Sequence, residues 1–150
     1  MTQIASTLLI LAKHPLVATA AGFTTAEWLS HVDWYVKPWI ANVNVGRLPM
    51  LLLSEDRVDY IHEMEPNHGG TRTTRIEGLI PVRAFRKDNI TATNLARNIF
   101  LAFIRLVRSN TSAINLGNET LETIQPTNYG FMLPFSLDIN TTFNKDYQES

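Results

Sequence analysis

The sequence predicts an α+β fold, with a mainly antiparallel sheet, helices packed on one face and an extended β-hairpin arm. Three observations predict it: apolar residues at helical spacing near the N-terminus, strand patterns in a run through the middle, and one helix followed by a long alternating strand. Strands in a run, rather than alternating singly with helices, are typical of this class. The 150 residues suit one domain, with a helical N-terminal segment over 1–40 and a core of sheet and helix over 45–147.

The first predicted helix covers Thr2–Leu16. Ile4, Leu8 and Leu11 recur at spacings of four and three residues, which places them on one helical face. Pro15 marks the predicted end, because proline has no N–H to donate within a helix. The apolar stretch is about nine residues long and no Lys or Arg precedes it, so we predict neither a signal peptide nor a membrane span there.

A second helix is predicted from Thr25 to Val36. Thr24 and Glu27 have the Thr-x-x-Glu spacing of a capping box, in which each side chain accepts a hydrogen bond from the other residue's backbone amide. Pro38 stops the helix. Four residues share its predicted inward face: Trp28, Leu29, Val32 and Tyr35.

The middle of the chain predicts a long β-hairpin. Residues 48–54 are a continuous apolar run, typical of a strand that is buried on both faces. Residues 57–65 alternate more weakly, residues 66–70 form a turn with two glycines, and residues 71–86 alternate again. Pro81 lies within the second strand and predicts an edge position or a bulge, since proline cannot donate to the hydrogen-bond ladder.

The last third predicts a helix, a loop and a closing strand. The helix begins near Asn89, and its apolar residues recur at helical intervals: Leu95, Ile99, Phe103 and Leu106. Residues 109–120 are rich in Ser, Asn, Thr and Gly and predict a loop, followed by a short strand over 121–124. Large apolar residues occupy every second position over 129–140, which predicts the closing strand.

Composition excludes several classes of function. The chain has no cysteine, which excludes disulfides, thiolate metal sites and a thiol nucleophile. Thirteen Lys and Arg oppose fourteen Asp and Glu, and the net charge of −1 predicts no bulk attraction to nucleic acid or to an anionic membrane. The lack of cysteine also fits a protein assembled in a reducing cytoplasm.

No catalytic or metal-binding pattern emerges from the polar residues. The one cluster of candidate metal ligands in the sequence consists of His62, Glu63, Glu65 and His68. Its spacing is not the His-Glu-x-x-His of a helical zinc site, and neighbouring side chains on a strand point to opposite faces. The sequence contains no Gly-x-Ser-x-Gly nucleophile turn. We therefore predict no enzyme, no metal, no cofactor and no small-molecule substrate.

Charge is distributed unevenly although its sum is near zero. Residues 55–65 hold five acidic side chains against Arg57, whereas residues 72–108 hold eight basic side chains against Glu77 and Asp88. The simplest interpretation is two solvated faces. A second is a protomer with an acidic and a basic flank, suited to head-to-tail association in a ring. A third is a phosphate-binding surface, although few exposed aromatic residues accompany it to stack on bases.

The order of these elements resembles the tail terminator (tail completion) proteins of tailed bacteriophages, over about residues 45–147 and more loosely in the first helix. The shared features begin with the Leu-Pro-Met-Leu-Leu-Leu strand at residues 48–53 and a β-arm with an acidic, glycine-containing tip. They continue with a strand that ends Leu-Ile-Pro-Val at residues 79–82, an amphipathic helix and a closing strand.

The resemblance implies a structural protomer that assembles into a hexameric ring. Such a ring caps the tail tube, terminates tube polymerisation and joins the tail to the head or neck. The implied partners are further copies of this chain, the tail-tube protein, a neck or head-completion protein and, in contractile tails, the sheath. The implied location is the virion tail, after assembly in the host cytoplasm.

Three groups of residues are predicted to make protein contacts. They are Glu63, Glu65 and His68 at the arm tip, the basic group Arg83, Arg86 and Lys87, and the aromatic pair Trp34 and Trp39. The two tryptophans are included because they fall outside the inward face of the second predicted helix. The alternatives are another phage neck, connector or tail-tube protein, a nucleic-acid-binding accessory protein that uses residues 72–108, and a small hydrolase.

Overall fold

This computed structural model describes residues 3–35, 39, 43–62, 70–84 and 89–143. Four α-helices and six strands lie within these ranges. The helices are α1 (Gln3–Ala12), α2 (Pro15–Ala21), α3 (Thr25–Trp28) and α4 (Asn89–Ser109). The strands are β1 (Val32–Trp34), β2 (Leu51–His62), β3 (Gly70–Arg83), β4 (Leu116–Leu121), β5 (Gln125–Pro126) and β6 (Gly130–Phe143). Two 3₁₀ turns cover Leu29–His31 and Val45–Arg47.

The strands form one sheet in the order β1-β2-β3-β6-β4, and β5 also pairs with β6. Only β1 and β2 run parallel among these pairs. The central pair is β3 with β6, which is continuous from Gly70 opposite Phe143 to Arg83 opposite Gly130. The predicted α+β class with a mainly antiparallel sheet is confirmed. The β2–β3 hairpin is present, and β6 lies beside it along the whole length of β3.

The main core lies between the helices and one face of the sheet, called here the helix face. Strand alternation places every second residue of β3 and β6 on this face. Its strand residues are Leu51, Leu53, Ile76, Ile80, Val82, Leu133, Phe135, Leu137 and Ile139, all buried. Against them pack α4 and the shorter helices α1 and α2. Each such side chain contributes about 1.5–3 kcal/mol on burial, so this layer is the main source of stability.

Gly78 makes room for the largest side chain of that layer. It lies opposite Phe135 on the neighbouring strand, and a Cβ at this position would overlap the Phe135 ring. The ring also contacts Phe100 edge-on at a centroid distance of 5.1 Å, and its centroid is 6.1 Å from that of Phe103. The glycine therefore leaves room over β3 for the far end of the Phe135 ring, which also contacts the phenylalanines of α4.

The first predicted helix is in fact two helices. α1 ends at Ala12 and α2 begins at Pro15, so the proline starts a helix rather than ending one. Proline suits the first position because its missing N–H would have no partner there. His14 caps α2, its Nδ1 accepting from the Leu16 N–H at 3.1 Å, and Gly22 ends it in the left-handed conformation with φ 84°.

The second predicted helix is wrong beyond its first turn. The capping box is confirmed: Oγ1 of Thr24 accepts from the Glu27 amide at 3.3 Å, and Oε1 of Glu27 accepts from the Thr24 amide at 3.0 Å. After α3 and one 3₁₀ turn, however, the chain becomes β1 and pairs with residues 51–53 of β2. Val32 and Trp34 are better suited to a strand, and pairing with a buried apolar strand outweighed the weak helical pattern.

Two prolines lie inside long strands, at positions where the neighbouring strand is interrupted. Pro81 belongs to β3, which is not an edge strand, but its carbonyl accepts from the Met50 amide just before β2 begins. Its missing N–H thus falls beyond the end of the β2 ladder. Pro134 of β6 likewise accepts from Glu122, in the gap between β4 and β5. The predicted edge character of Pro81 is therefore local rather than a property of the whole strand.

The C-terminal elements agree with prediction except at the edge strand. α4 and β6 are confirmed, with β6 extending to Phe143. All but the last residue of β4 lies within residues 109–120, which were predicted to be a loop, and β4 ends at Leu121, where the short strand over 121–124 was expected to begin. β4 is a short edge strand that forms because it pairs with β6. Its own sequence contains Gly and Asn, which are uncommon in strands, so it did not predict a strand.

Candidate interaction surfaces

The face of the sheet opposite the helices, called here the open face, carries a second and smaller apolar cluster. Met50, Leu52 and Leu79 are buried there. They are covered by partly buried side chains that lie on either side: Tyr35, Trp39, Val43, Leu48 and Met132. Burial, together with neighbouring Asp33, raises the pKa of Tyr35, so this phenol is neutral at pH 7. This cluster covers only one end of the open face.

A groove of about 940 Å³ runs beside that cluster. Its floor is formed by Leu79 of β3 with Met132 and Pro134 of β6, and its walls include Trp39 and Tyr129. These residues come from three separate parts of the chain, and the pairing of β3 with β6 brings Leu79 beside Met132 and Pro134. The result is a concave, mostly apolar site of a size typical of binding pockets.

The turn between β5 and β6 shapes one wall of the groove. Oγ1 of Thr127 accepts from the amides of Tyr129 and Gly130, at 3.3 and 3.0 Å, and the Thr127 amide donates to the Gly130 carbonyl at 2.8 Å. These bonds hold Tyr129 against the groove. Burial raises the pKa of Tyr129, so the wall is uncharged at neutral pH.

Two carboxylates, Glu77 and Glu122, line the groove beside its apolar floor. Farther along the open face, away from the groove, the cross-strand pairs become polar. Nε of Arg75 donates to Oδ1 of Asp138 at 3.0 Å, and this bond raises the pKa of Arg75. The open face therefore changes from apolar at the groove to paired charges at the hairpin end, and the groove itself carries acidic side chains.

The outer surface of α4 has the opposite charge. Six of its residues lie within about 100° of arc on the side away from the sheet, since successive residues turn by about 100°. They are Ile90, Asn94, Arg97, Leu101, Arg105 and Arg108, all exposed. α4 contains no acidic residue. Arg108 pairs with Glu119 of β4, whereas no carboxylate among the described residues pairs with Arg97 or Arg105.

One strand edge is also open within the described residues. β1 covers only residues 51–53 of β2, so the outer backbone groups of residues 55–62 face no strand in the described ranges. A β-bulge at Asp56 bends the strand where this edge begins. An edge of this length is a template for pairing with a strand from another chain.

Of the eight predicted contact residues, the three that the structure describes lie in separate places. Trp34 packs against the core on the helix face, whereas Trp39 packs against the open-face cluster and lines the groove. Arg83 is exposed at the end of β3. The remaining five lie outside the described residues: Glu63, Glu65, His68, Arg86 and Lys87.

The basic stretch predicted over residues 72–108 does not form a single flank in the described part of the chain. Arg72 and Arg75 lie on opposite faces of the sheet, because their positions differ by an odd number on one strand. Among the described arginines, Arg75 and Arg83 share one face of β3, whereas those of α4 share the outer surface of that helix. Sequence analysis therefore identified the excess of basic side chains but not the surface that displays them.

The groove was missed by sequence analysis, although the sequence contains a signal for it. Leu79, Met132 and Pro134 occupy positions that the strand alternation assigns to the face away from the helices. Apolar residues in that register indicate that the second face of the sheet is also partly buried. The groove's carboxylates carried no comparable signal, because their proximity depends on the pairing of distant strands.

Neither a membrane-spanning helix nor a metal site is supported by the described residues. α4 is long and apolar enough to cross a membrane by length and composition alone, but its apolar side is packed in the main core, as in the core helix of a globular domain. No group of three or more His, Asp or Glu side chains in the described ranges is placed to hold a metal ion.

None of the known protein-family models matches the chain, and a search of curated proteins finds no significant match. The functional interpretation therefore depends on the surfaces described above and on the order of the elements.

Proposed function

We propose that this chain is a structural subunit of a bacteriophage tail, which forms a ring on the end of the tail tube, terminates tube polymerisation and joins the tail to the head or neck. The order of elements supports it: the apolar segment that enters β2, the hairpin, the amphipathic α4 and the closing β6. This order resembles that of tail terminator proteins.

One observation carries the proposal. The open face of the sheet has a mostly apolar groove that is also lined by two carboxylates. The basic outer surface of α4 lies on the other side of the molecule, beyond the helix layer. A protomer with two different surfaces on opposite sides makes head-to-tail contacts, and such contacts close into a ring when the rotation between neighbours permits it. A chain that acted alone would not require such a pair of surfaces.

The free edge of β2 supplies a further contact surface. Residues 55–62 offer backbone N–H and C=O groups to a strand of the tube or of a neighbouring subunit. Glu55 and Asp56 lie where this edge begins, and the charge and the bulge disfavour indiscriminate pairing. The proposed partners are therefore further copies of this chain, the tail-tube protein, a neck or head-completion protein and, in a contractile tail, the sheath.

The direct test is arrest of tube growth. The purified chain is added to the polymerising tail-tube protein of the same phage, and tube length is measured by negative-stain electron microscopy. We expect short tubes with a ring at one end, at a ratio of one ring per tube. Tubes of unchanged length with no ring would contradict the terminator role, and incorporation along the tube would instead identify a tube subunit.

A second candidate, a nucleic-acid-binding accessory protein, is favoured by one observation. Arg97 and Arg105 are exposed on a helix that has no acidic residue. Binding to phosphates would then fall steeply as salt increases, because each neutralised phosphate releases counterions. Salt-sensitive retention on DNA-cellulose, with no effect on tube growth, is the result that would favour this candidate.

A further inference from the structure

We propose that neighbouring subunits are joined by insertion of the outer face of α4 of one copy into the open-face groove of the next. This inference rests on the proposed ring and names the two surfaces that make its contact. It also specifies an occupant for the groove: a second copy of this chain, presenting Ile90, Arg97, Leu101 and Arg105.

The outer face of α4 has the composition of a binding surface rather than of an ordinary solvated helix. Ile90 is 71% exposed and Leu101 is 43% exposed, and both lie on the same strip as Arg97 and Arg105. The two arginines are eight residues apart, about 12 Å along the axis, with Leu101 midway between them. Apolar side chains flanked by cations that have no carboxylate partner among the described residues match a partner that is apolar at its centre and acidic beside it.

The groove has that complementary composition. Leu79, Met132 and Pro134 form an apolar floor, and the carboxylates of Glu77 and Glu122 line the same groove. Leu101 would lie on the floor and the two arginines would approach the carboxylates. Partial burial strengthens such pairs relative to pairs in open water. Aromatic walls from Trp39 and Tyr129 add surface suited to the arginine side chains.

The two surfaces cannot meet within one copy. The groove lies on the open face, and α4 covers the opposite face of the same sheet. Any contact between them is therefore made between copies and is heterologous, so that every copy uses one surface of each kind. A foreign peptide in the groove, or nucleic acid on α4, would leave the other surface without a role.

The experiment uses two variants of the full chain that each lose one surface. Arg97→Glu/Arg105→Glu reverses the charge of α4 and leaves the groove intact. Val45→Lys/Glu122→Lys places two cations beside the groove and leaves α4 intact. All four side chains are exposed, so we expect both variants to retain the far-ultraviolet circular dichroism and the cooperative unfolding of the wild type. Lys13→Glu, in the turn between α1 and α2, serves as the control for a cation-to-anion change away from α4.

Mass is measured by light scattering, for the wild type first and then for each variant. We expect a ring for the wild type and for Lys13→Glu, and a monomer of 17.0 kDa for each double variant alone. Mixing the two double variants pairs the intact groove with the intact α4, and it also pairs the acidic α4 with the basic groove, so the closed oligomer should return in the mixture. Recovery of the oligomer in the mixture, but not in either variant alone, is specific to a head-to-tail contact between these two surfaces.

The outcomes separate this inference from the proposed function. A ring from either double variant alone would overturn the inference while leaving the ring itself in place. Dimers of one variant alone would identify a symmetric contact and overturn it as well. Loss of DNA retention in Arg97→Glu/Arg105→Glu, with ring mass unchanged, would assign α4 to nucleic acid instead. A monomeric wild type would contradict the proposed function, independently of the variants.

Discussion

The two faces of the sheet differ in how completely they are buried. On the helix face, β3 and β6 place buried apolar side chains against α4, with the Phe135 ring filling the space above Gly78. On the open face, Met50, Leu52 and Leu79 form a small buried cluster among the described residues, and beside it lie the groove and then polar cross-strand pairs. The same strands thus supply a core on one side and the proposed binding surface on the other.

The difference shows that strand alternation separates stability from recognition. A residue on the helix face is constrained by close packing, so a change of a few atoms is costly. A partly exposed residue of the open face is expected to change with a smaller effect on folding, and a change in the groove is expected to weaken the proposed contact. Variants of the two faces should therefore differ in kind, with helix-face variants losing stability and open-face variants losing assembly.

The largest effect is expected at Gly78. In Gly78→Ala the new methyl group overlaps the ring of Phe135, which cannot move away because Phe100 and Phe103 pack against it. We expect a loss of at least about 3 kcal/mol in the free energy of unfolding, the upper end for overpacking. The control is Gly117→Ala, where the methyl group meets the end of the Asn140 side chain and, at an ordinary contact distance, the Asp138 carbonyl, so we expect a smaller loss. Equal unfolding midpoints of the two variants in guanidinium chloride would contradict the packing described here.

Truncating one apolar side chain on each face of β6 compares the two faces of the sheet directly. Leu137→Ala on the helix face should lower the free energy of unfolding by about 3 kcal/mol, because it leaves a cavity in a closely packed layer. Met132→Ala on the open face should lower it by about 1 kcal/mol but should weaken the ring, since Met132 lines the groove. Both are compared by guanidinium titration at one protein concentration, because assembly adds to apparent stability.

A smaller effect is expected at the polar end of the open face. Arg75 and Asp138 are a directly opposed cross-strand pair joined by charged hydrogen bonds. In a double-mutant cycle with Arg75→Ala and Asp138→Ala, we expect a coupling of about 0.5 kcal/mol, within the usual range for opposed strand pairs. The coupling should decrease in high salt, because both side chains are partly exposed. Coupling as large as the effect of Leu137→Ala would show that this face also contributes to the core.

The smallest expected effect is a pH dependence of stability that comes from Glu27 of α3, which lies on neither face of the sheet. The amide and hydroxyl of Thr24 lower the pKa of Glu27 below its usual 4.5. The folded state therefore favours the ionised carboxylate, so this stabilisation is present above pH 4.5 and is lost as the pH falls through the lowered pKa. The difference in thermal midpoint between wild type and Glu27→Gln should shrink on acidification from pH 6 to pH 3. A difference that grows would mean that the assigned sign is wrong.

The elements that the sequence predicted correctly are those with long internal patterns. α4 and β6 repeat their apolar spacing over many residues, so their own sequence is sufficient evidence for them. β1 and β4 have three and six residues and form because a stronger neighbour offers free hydrogen-bonding groups. Such elements depend on tertiary context, which explains why β1 was predicted to be a helix and β4 a loop.

The candidate surfaces were harder to predict from the sequence, because they too depend on tertiary context. The excess of arginine in residues 72–108 was visible, but its division between two sheet faces and α4 depends on strand pairing. Trp39 was selected as a contact residue and does line the groove, whereas Trp34 packs on the helix face of β1. Tyr129 and Glu122 were not selected, because nothing near them in the sequence indicates that Leu79 lies beside them.

The central claim, that two different surfaces on opposite sides of the sheet assemble this chain head to tail, is tested most directly by the mass of the purified protein in solution. Multi-angle light scattering over a range of concentrations should give a closed oligomer of about 100 kDa, six protomers of 17.0 kDa each, with no larger species. A single species of 17.0 kDa at every concentration would contradict the account.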